Sequence, residues 1–305
     1  MVLDLRTIVF LTIIFNLIFG IGVFVGISSE KTFKGLKFIG IGFIVSAIGF
    51  MLMFMRDYID PFLSVVVCNT LILLGVILTF WGLFEFYHKK AYKRVFDIVG
   101  LVIFAILFSY YLLINNHVNM RIIIICIYLI YYYGLSIYAV VYKPVFNKPK
   151  ANWFMGSFLV AIILYYIFRI YFTINESNIE NFMDAGIVHS VAIVFFALWS
   201  VVICFGIFIV MNMVTEEDLE KDVYLDSLTG LYNRRAISDE TYKFSTRKID
   251  IGRFYVYILC DVDDFKLIND KHGHLYGDFI LSDIDAELQL LTRNGDFISR
   301  FGGDE

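Results

Sequence analysis

Seven long apolar stretches fill the first 213 residues of this 305-residue chain and constrain its fold more than any other feature. Each holds about the 20 residues that a helix needs to cross the hydrocarbon core of a bilayer. The first is too long, and lacks the small-residue cleavage site, to be a removable signal peptide. Short polar breaks separate the stretches, so residues 1–213 predict a compact bundle with spans at Thr7–Ile27, Leu36–Met55, Phe62–Phe86, Val95–Ile114, Ile122–Tyr142, Trp153–Ile174 and Ile187–Met213.

The basic residues of the short loops indicate how this bundle is oriented. Loops and flanks on the side of the C-terminus hold ten Lys or Arg residues, whereas the other side holds three, Arg6, Arg56 and Arg121. Because basic loops stay in the cytoplasm, we expect an external N-terminus and a cytoplasmic C-terminus in the cell membrane. Arg169 and His189 lie within spans, where an ionisable group is costly and often functional. Both are near the outer ends of their spans, where we expect them to reach the interface; the alternative is a sensory role for Arg169, paired with the acidic outer loop.

The composition changes near Met213. The first 213 residues carry 14 Lys or Arg and 9 Asp or Glu, whereas the last 92 carry 11 and 20. An acidic segment argues against nucleic acid as a partner, which would favour a basic surface, and is compatible with carboxylates gathered around a cation. Residues 214–225 predict a helical linker that continues the seventh span, with too few apolar positions to establish a coiled coil.

The remaining residues, 226–305, predict alternating helices and strands. Asn233 is placed to cap a helix that runs through Ala236 and Ile237. The apolar run from Phe254 to Cys260 predicts a buried strand, and the helical spacing of apolar residues from Tyr276 to Thr292 predicts an amphipathic helix. Asp296–Phe301 predicts a second strand before a Gly302-Gly303 turn, and this order favours an α/β or α+β sheet domain.

Carboxylates follow the first predicted strand directly, at Asp261, Asp263 and Asp264. Oxygen ligands at a strand end suit Mg²⁺ shared with substrate phosphates. A calcium loop is excluded, because Phe265 and Lys266 occupy positions where that loop needs Asp or Asn and then Gly. A solvated acidic loop without a metal remains an alternative for this stretch alone.

The chain reaches a second pair of carboxylates in the sequence FGGDE. Two glycines allow a tight turn, and the turn presents Asp304 and Glu305 at its tip. If the two predicted strands pair, these side chains come next to Asp261. Acidic residues from two separate segments then form one metal site.

Three sequence blocks together resemble the signature of the GGDEF diguanylate cyclase family in order and spacing. They are DSLTGLYNRR (Asp226–Arg235), DVDDFKLINDKHGHLYGD (Asp261–Asp278) and GGDE (Gly302–Glu305). The resemblance covers residues 226–305 and implies a ferredoxin-like, palm-type fold. It implies condensation of two GTP to cyclic di-GMP and two pyrophosphates by a homodimer, with Mg²⁺ as cofactor and Mn²⁺ as an alternative. The seven-span region resembles, more loosely, seven-helix sensor modules that precede such domains.

The resemblance also implies roles for individual residues. Asp261 and the carbonyl of Val262 are the expected metal ligands, with Asp304 as metal ligand and general base and Glu305 beside it. Asn269 and Asp278 are expected to bind guanine, His274 to belong to the substrate site, and the backbone near Asp264 and Phe265 to meet the phosphates. Arg293 and Asp296 match an inhibitory site for the product.

Two expectations concern activity. Since the sequence stops at Glu305, without the Phe that completes the motif, we expect the second half of the domain to be missing and this form to be inactive. The alternative to a cyclase is a signalling receptor that binds GTP or cyclic di-GMP without turnover.

The predicted fold class for the whole chain is a multi-pass helical membrane bundle followed by a truncated α/β domain.

Overall fold

The computed structural model describes residues 4–25, 33–88, 90, 92–176, 179, 182, 186–238, 256, 258–293 and 296–303, with the backbone alone for 220–222. The chain divides into two compact units, Met1–Asn212 and Met213–Glu305. Within the described residues the first unit is helical apart from its loops. Its helices are α1 (Leu5–Val25), α2 (Leu36–Phe54), a π-helical turn (Phe62–Val67) leading into α3 (Cys68–His88), α4 (Val95–Leu113), α5 (Val118–Val141), α6 (Pro149–Asn175) and α7 (Ile187–Tyr224).

The prediction of seven long apolar helices is confirmed as to number and position. Among the described residues, seven helices are long and apolar enough to cross a membrane, and each coincides with a predicted span. They indicate a multi-pass membrane protein. The helix α7 continues past the apolar region to Tyr224, as the sequence of residues 214–225 predicts.

Helices α2 and α3 contact each other backbone to backbone along a seam of small residues. Gly35, Gly42 and Gly49 repeat every seven residues and face Cys68, Gly75 and Gly82, which repeat likewise; we call these six residues the glycine seam. A Cβ at Gly75 would lie 2.5 Å from the carbonyl oxygen of Gly42, and one at Gly82 would lie 2.7 Å from that of Gly35. Small residues allow this close approach, which stabilises helix pairs in membranes by direct packing.

Polar side chains are buried inside the bundle. The carboxylate of Asp97, on α4, is only 3% exposed and accepts hydrogen bonds from Trp81 Nε1 (2.7 Å) and the Tyr132 hydroxyl (3.0 Å). Arg169 is 5% exposed and His189 is fully buried. The expectation that these two side chains reach the membrane interface is therefore wrong, because each has a polar partner inside the protein and has no need to extend to water.

The second unit contains the end of α7, a short helical segment over 234–238, α8 (Phe265–His272) and α9 (His274–Leu291). The predicted amphipathic helix is thus confirmed as α9. In the described residues the β structure is confined to two isolated bridges, Leu225 with Tyr232 and Tyr232 with Ser299.

The two predicted strands are not seen in the part of the chain that the structure describes. Residues 256 and 258–260 have no regular structure, and the other residues of the Phe254–Cys260 run lie outside the described residues. Val256, Ile258 and Leu259 are 77–82% exposed, since no strand among the described residues covers them. Of Asp296–Phe301, only Ser299 forms a bridge. A strand needs a partner for its backbone groups, so the apolar pattern alone does not produce one, and the ferredoxin-like fold stays a prediction.

Candidate functional site

Asp226 is the centre of the loop that follows α7. Its Oδ1 accepts hydrogen bonds from the amide of Leu228 (3.2 Å) and from the amide and hydroxyl of Thr229 (both 3.0 Å). The chain reverses at Gly230, whose φ of 73° favours glycine. The amide of Asp226 then donates to the carbonyl of Leu231 at 2.7 Å, which closes the loop.

Asn233 joins this loop to the end of α7 and begins the next helix. Its Nδ2 donates to the carbonyl of Val223 (2.8 Å), and its amide donates to that of Tyr224 (2.8 Å). Its Oδ1 accepts from the amides of Arg235 (3.0 Å) and Ala236 (3.1 Å), which is the geometry of an N-cap. The predicted cap is confirmed.

Arg300 connects the Asp226 loop to the glycine turn near the end of the chain. Its Nη1 donates to Asp226 Oδ1 at 3.0 Å, and its Nε donates to the carbonyl of Gly303 at 3.1 Å. The amide of Arg300 also donates to the carbonyl of Tyr232 (2.8 Å). One arginine therefore joins the first and third sequence blocks, which are separated by about 70 residues.

The pKa values of two carboxyl groups in this cluster, Asp226 and Asp285, are shifted in opposite directions. Partial burial would raise the pKa of Asp226, but hydrogen bonds from Thr229 and Arg300 outweigh it and leave the pKa below its ordinary value. Burial raises the pKa of Asp285, on α9, and the nearby Asp226 charge adds to this, against the opposing effect of Arg300. Asp285 Oδ2 is also buried without a hydrogen-bond partner among the described residues.

The second block forms a turn that leads into α8. Asp261, Asp263 and Asp264 are exposed. Asp264 stands at the start of α8 with a φ of 58°, and its carbonyl accepts from the amide of Leu267 at 2.9 Å. The amide of Phe265 donates to the carbonyl of Val262 at 3.4 Å. The acidic residues thus lie beside the amides of a helix N-terminus, where anions are stabilised.

The corner between α8 and α9 brings Asn269 next to Gly277, the residue before Asp278, the other predicted guanine-binding position. Gly273, with a φ of 86°, separates the helices, and its amide donates to the carbonyl of Asn269 at 2.8 Å. A Cβ at Gly277 would lie only 1.9 Å from Asn269 Oδ1, so the side chain of Asn269 lies against the residue next to Asp278. Asn269 Oδ1 is buried and lacks a hydrogen-bond partner in the described part of the chain. His274 is exposed at the start of α9.

The predicted metal donors are all oxygen atoms, which is the ligand type that a hard divalent cation prefers. The carbonyl of Val262 accepts one long hydrogen bond from Phe265, which leaves a lone pair for a cation. Asp304 and Glu305 lie outside the described residues. Within the residues that are described, no three acidic, His or Cys side chains converge. The donor chemistry fits a metal, and the closure of the site depends on Asp304 and Glu305.

Arg293 and Asp296, the predicted product site, hold a tight turn after α9. The amide of Arg293 donates to Asp296 Oδ2 at 3.0 Å, and the amide of Asp296 donates to the carbonyl of Arg293 at 3.0 Å. Both side chains are exposed. The turn therefore presents an arginine at the surface and uses its aspartate to fix the backbone.

Two residues of the cluster, Arg300 and Asp285, were not predicted from the sequence. Arg300 interrupts an apolar segment two residues before Gly302, and a charge in that position signals a specific partner. Asp285 lies among the apolar residues of an amphipathic helix, where a carboxylate at the edge of the buried face is the corresponding signal. Neither signal identifies the partner, because Asp226 is distant in sequence.

Comparison with known proteins supports the resemblance of the C-terminal segment. Residues 223–305 match the family model for the diguanylate cyclase, GGDEF domain. The chain is 42% identical over 87 residues to diguanylate cyclase VdcA of Vibrio cholerae serotype O1, covering 28% of this chain and 24% of the relative. It is 43% identical over 89 residues to diguanylate cyclase DgcP of Pseudomonas aeruginosa (29% and 13%), and 39% identical over 83 residues to the uncharacterized protein YhcK of Bacillus subtilis (27% and 23%).

The chain spans about a quarter or less of the length of these relatives. No solved structure matches it. The matched residues contain all three sequence blocks, so the segment from 223 to 305 carries GGDEF-domain sequence. The resemblance drawn from the blocks is confirmed for this segment.

Proposed function

We propose that this protein is a membrane-bound diguanylate cyclase, which condenses two GTP into cyclic di-GMP and two pyrophosphates under control of the seven-helix bundle. The observation that carries the proposal is the match of residues 223–305 to the GGDEF domain with all three blocks included. The bundle supports the membrane location, and the excess of basic residues in the loops supports a cytoplasmic C-terminus.

The corner of α8 and α9 is the proposed guanine site. Asn269 Oδ1 is a buried acceptor without a partner among the described residues, and it lies next to the position of Asp278. Guanine carries N–H donors on its Watson–Crick edge from which these two groups can accept hydrogen bonds. Leaving such a buried acceptor unpaired costs free energy, so a ligand that donates to it gains affinity. His274, exposed at the start of α9, is the proposed third contact.

The turn from Asp261 to Phe265 is the proposed site for the triphosphate and its metal. Asp261, the carbonyl of Val262, Asp304 and Glu305 are the proposed ligands of Mg²⁺, with Mn²⁺ as an alternative. When bound, the metal neutralises charge on the phosphates. Amides at the start of α8, near Phe265, are proposed to meet the phosphates, and Asp304 to accept the proton of the attacking ribose hydroxyl.

Two further features belong to the proposal. A site of this kind holds one GTP, so two copies of the domain must face each other in a homodimer to join two molecules. The exposed Arg293 in the turn that Asp296 fixes is the proposed site for feedback by the product, since a guanidinium can bind a phosphate with two parallel hydrogen bonds.

A chimeric enzyme tests the proposal. Residues 223–305 replace the matching segment of diguanylate cyclase VdcA, and formation of cyclic di-GMP from GTP is measured by chromatography. We expect the chimera to be active, and we expect Asp304→Ala to lower the rate on the order of a hundredfold or more. Asn269→Ala should mainly raise KM for GTP, whereas Asp270→Ala, exposed on the same helix, should change neither.

The same chimera tests the product site, because Arg293→Ala should weaken binding of cyclic di-GMP in calorimetry and leave turnover in place. A folded chimera that binds GTP without turnover would favour the non-catalytic receptor instead. Wild-type activity in Asp304→Ala would overturn the assignment of the catalytic residue.

A further inference from the structure

A cavity of about 380 Å³ opens at the end of the helical bundle where α1 begins. The loop after α2 lies at this end, because its Asp57 forms an ion pair with Arg6 at the start of α1. The cavity is enclosed by residues of α2 to α7 and the loops that join them at this end. Its volume falls in the range of about 300–1,000 Å³ that is typical of small-molecule sites.

The deeper wall of the cavity is apolar. Phe50 and Phe196 meet there edge to face, with ring centroids 4.9 Å apart, and Leu129 adds an aliphatic surface. Leu129 follows Arg121 by about two turns of α5, so the cavity extends roughly 12 Å from that arginine into the bundle. An apolar body of several carbon atoms can be buried along this depth.

The lining of the cavity is rich in positive charge. Arg56, Arg121 and Arg169 all line it, and among the described lining residues the one acidic side chain is Asp57. Asp57 already pairs with Arg6. Guanidinium groups that are wholly or partly buried cost free energy unless they are paired, so three of them around one cavity indicate a ligand of opposite charge.

Two of these arginines have donors ready for such a ligand. Arg56 donates to the carbonyl of Ser64 at 3.1 Å, and Arg121 donates to Asn116 Oδ1 at 3.2 Å. In the described part of the chain, Arg56 Nε and Arg121 Nη1 are buried and have no hydrogen-bond partner. Burial also lowers the pKa of Arg56, because desolvation penalises its charged form.

The third arginine, Arg169, is held in place by a chain of hydrogen bonds. Arg169 Nε donates to His189 Nδ1 at 3.3 Å, which places the imidazole proton on Nε2, and that nitrogen lies 2.9 Å from Glu176 Oε2. The Glu176 carboxylate therefore interacts with Arg169 only indirectly, through the neutral imidazole of His189. This chain of hydrogen bonds sets the plane of the guanidinium at the wall of the cavity.

We propose that this cavity binds an organic anion with an apolar body, such as an aryl or alkyl carboxylate. The anionic group lies between Arg56 and Arg121, within reach of Arg169, and the apolar body extends towards Leu129 and Phe196. Arginine suits this role, since its planar donors match a carboxylate or a phosphate with two parallel hydrogen bonds. The inference concerns binding and does not depend on the proposed cyclase activity.

Equilibrium dialysis with radiolabelled 4-phenylbutyrate tests the proposal on the purified 305-residue chain in nanodiscs of zwitterionic lipid. Its amide and amine analogues, which share the apolar body and carry no charge or a positive one, serve as competitors. We expect saturable binding of the carboxylate and at least about tenfold weaker competition by either analogue. No binding, or equal competition by the amide, would overturn the proposal.

Variants locate the site. Arg121→Gln should weaken binding on the order of tenfold or more, because one charge-assisted contact is lost, and Leu129→Trp should block the apolar end. Arg94→Gln is the matched control, since Arg94 pairs with Glu85 and does not line the cavity. Unchanged affinity in a folded Arg121→Gln protein would overturn the assignment. Competition by added anionic lipid would support the same anion chemistry and identify the membrane as its source.

Discussion

The glycine seam between α2 and α3 predicts how a glycine-to-alanine substitution changes the free energy of unfolding at two different positions. Gly75→Ala adds a methyl group where a Cβ would lie 2.5 Å from the carbonyl oxygen of Gly42 and 2.0 Å from Ser46 Oγ. Gly134→Ala adds the same methyl group in α5, where no atom of the described residues lies within 4 Å apart from the neighbouring backbone of the same helix. Both substitutions exchange the same residue types inside a membrane-spanning helix.

The expected free energies of unfolding follow from these distances. Alanine favours a helix over glycine by up to about 1 kcal/mol, so Gly134→Ala should be neutral or stabilising by that amount. At Gly75, carbon and carbonyl oxygen must separate to the usual ~3.3–3.6 Å, which moves the helices apart by about 1 Å. The hydroxyl of Ser46 can rotate away, but the backbone of Gly42 cannot. Such overpacking costs about 1–3 kcal/mol. Because the gain in helix propensity is common to both variants, their stabilities should differ by about 1–3 kcal/mol.

Reversible unfolding in mixed micelles, titrated with a denaturing detergent and followed by circular dichroism, measures this difference. Gly75→Ala should unfold at a lower denaturant fraction than the wild type, and Gly134→Ala at the same or a higher one. Equal stabilities for the two variants would refute the conclusion that the backbones of α2 and α3 are in direct contact.

Two further predictions concern charge. In the C-terminal unit, Asp285 has a raised pKa in the folded state, so its ionisation lowers the free energy of unfolding as pH rises above about 4. Calorimetry between about pH 4 and pH 7 should show that Asp285→Asn abolishes this loss of stability. Asp283→Asn, which changes an exposed residue of the same helix, should retain it. For the bundle, the distribution of basic residues predicts that a reporter fused after Lys148 is cytoplasmic and one fused after Asn116 is external, and the reverse result would reject the orientation.

The helical part of the fold was predictable because each span is decided by local composition. Length and hydropathy suffice when every backbone polar group must be satisfied within its own helix. The interior of the bundle was not predictable in the same way. The partners of Asp97 are on α3 and α5, and Arg169 donates to His189 on α7, so the burial of both side chains depends on how the helices pack.

In the candidate site, too, features that depend on neighbouring residues were predictable from the sequence, and contacts between distant residues were not. The Asn233 cap and helix α9 follow from neighbouring residues and are confirmed. Sequence order does not reveal that Arg300 joins Asp226 to Gly303, or that Gly277 leaves room for Asn269, because both contacts depend on tertiary structure. The predicted strands are not seen in the described residues for a related reason, since the apolar run at 254–260 needs a neighbour that its own sequence does not specify.

The glycine seam also has a consequence for the order of assembly. Helices α2 and α3 are joined by the stretch from Met55 to Pro61 and the π-helical turn Phe62–Val67, so their contacts are local in sequence. Closing a short loop costs little entropy. Local contacts generally form early in folding. We therefore expect this hairpin to associate first after insertion and to serve as the template on which α1 and α5 then dock.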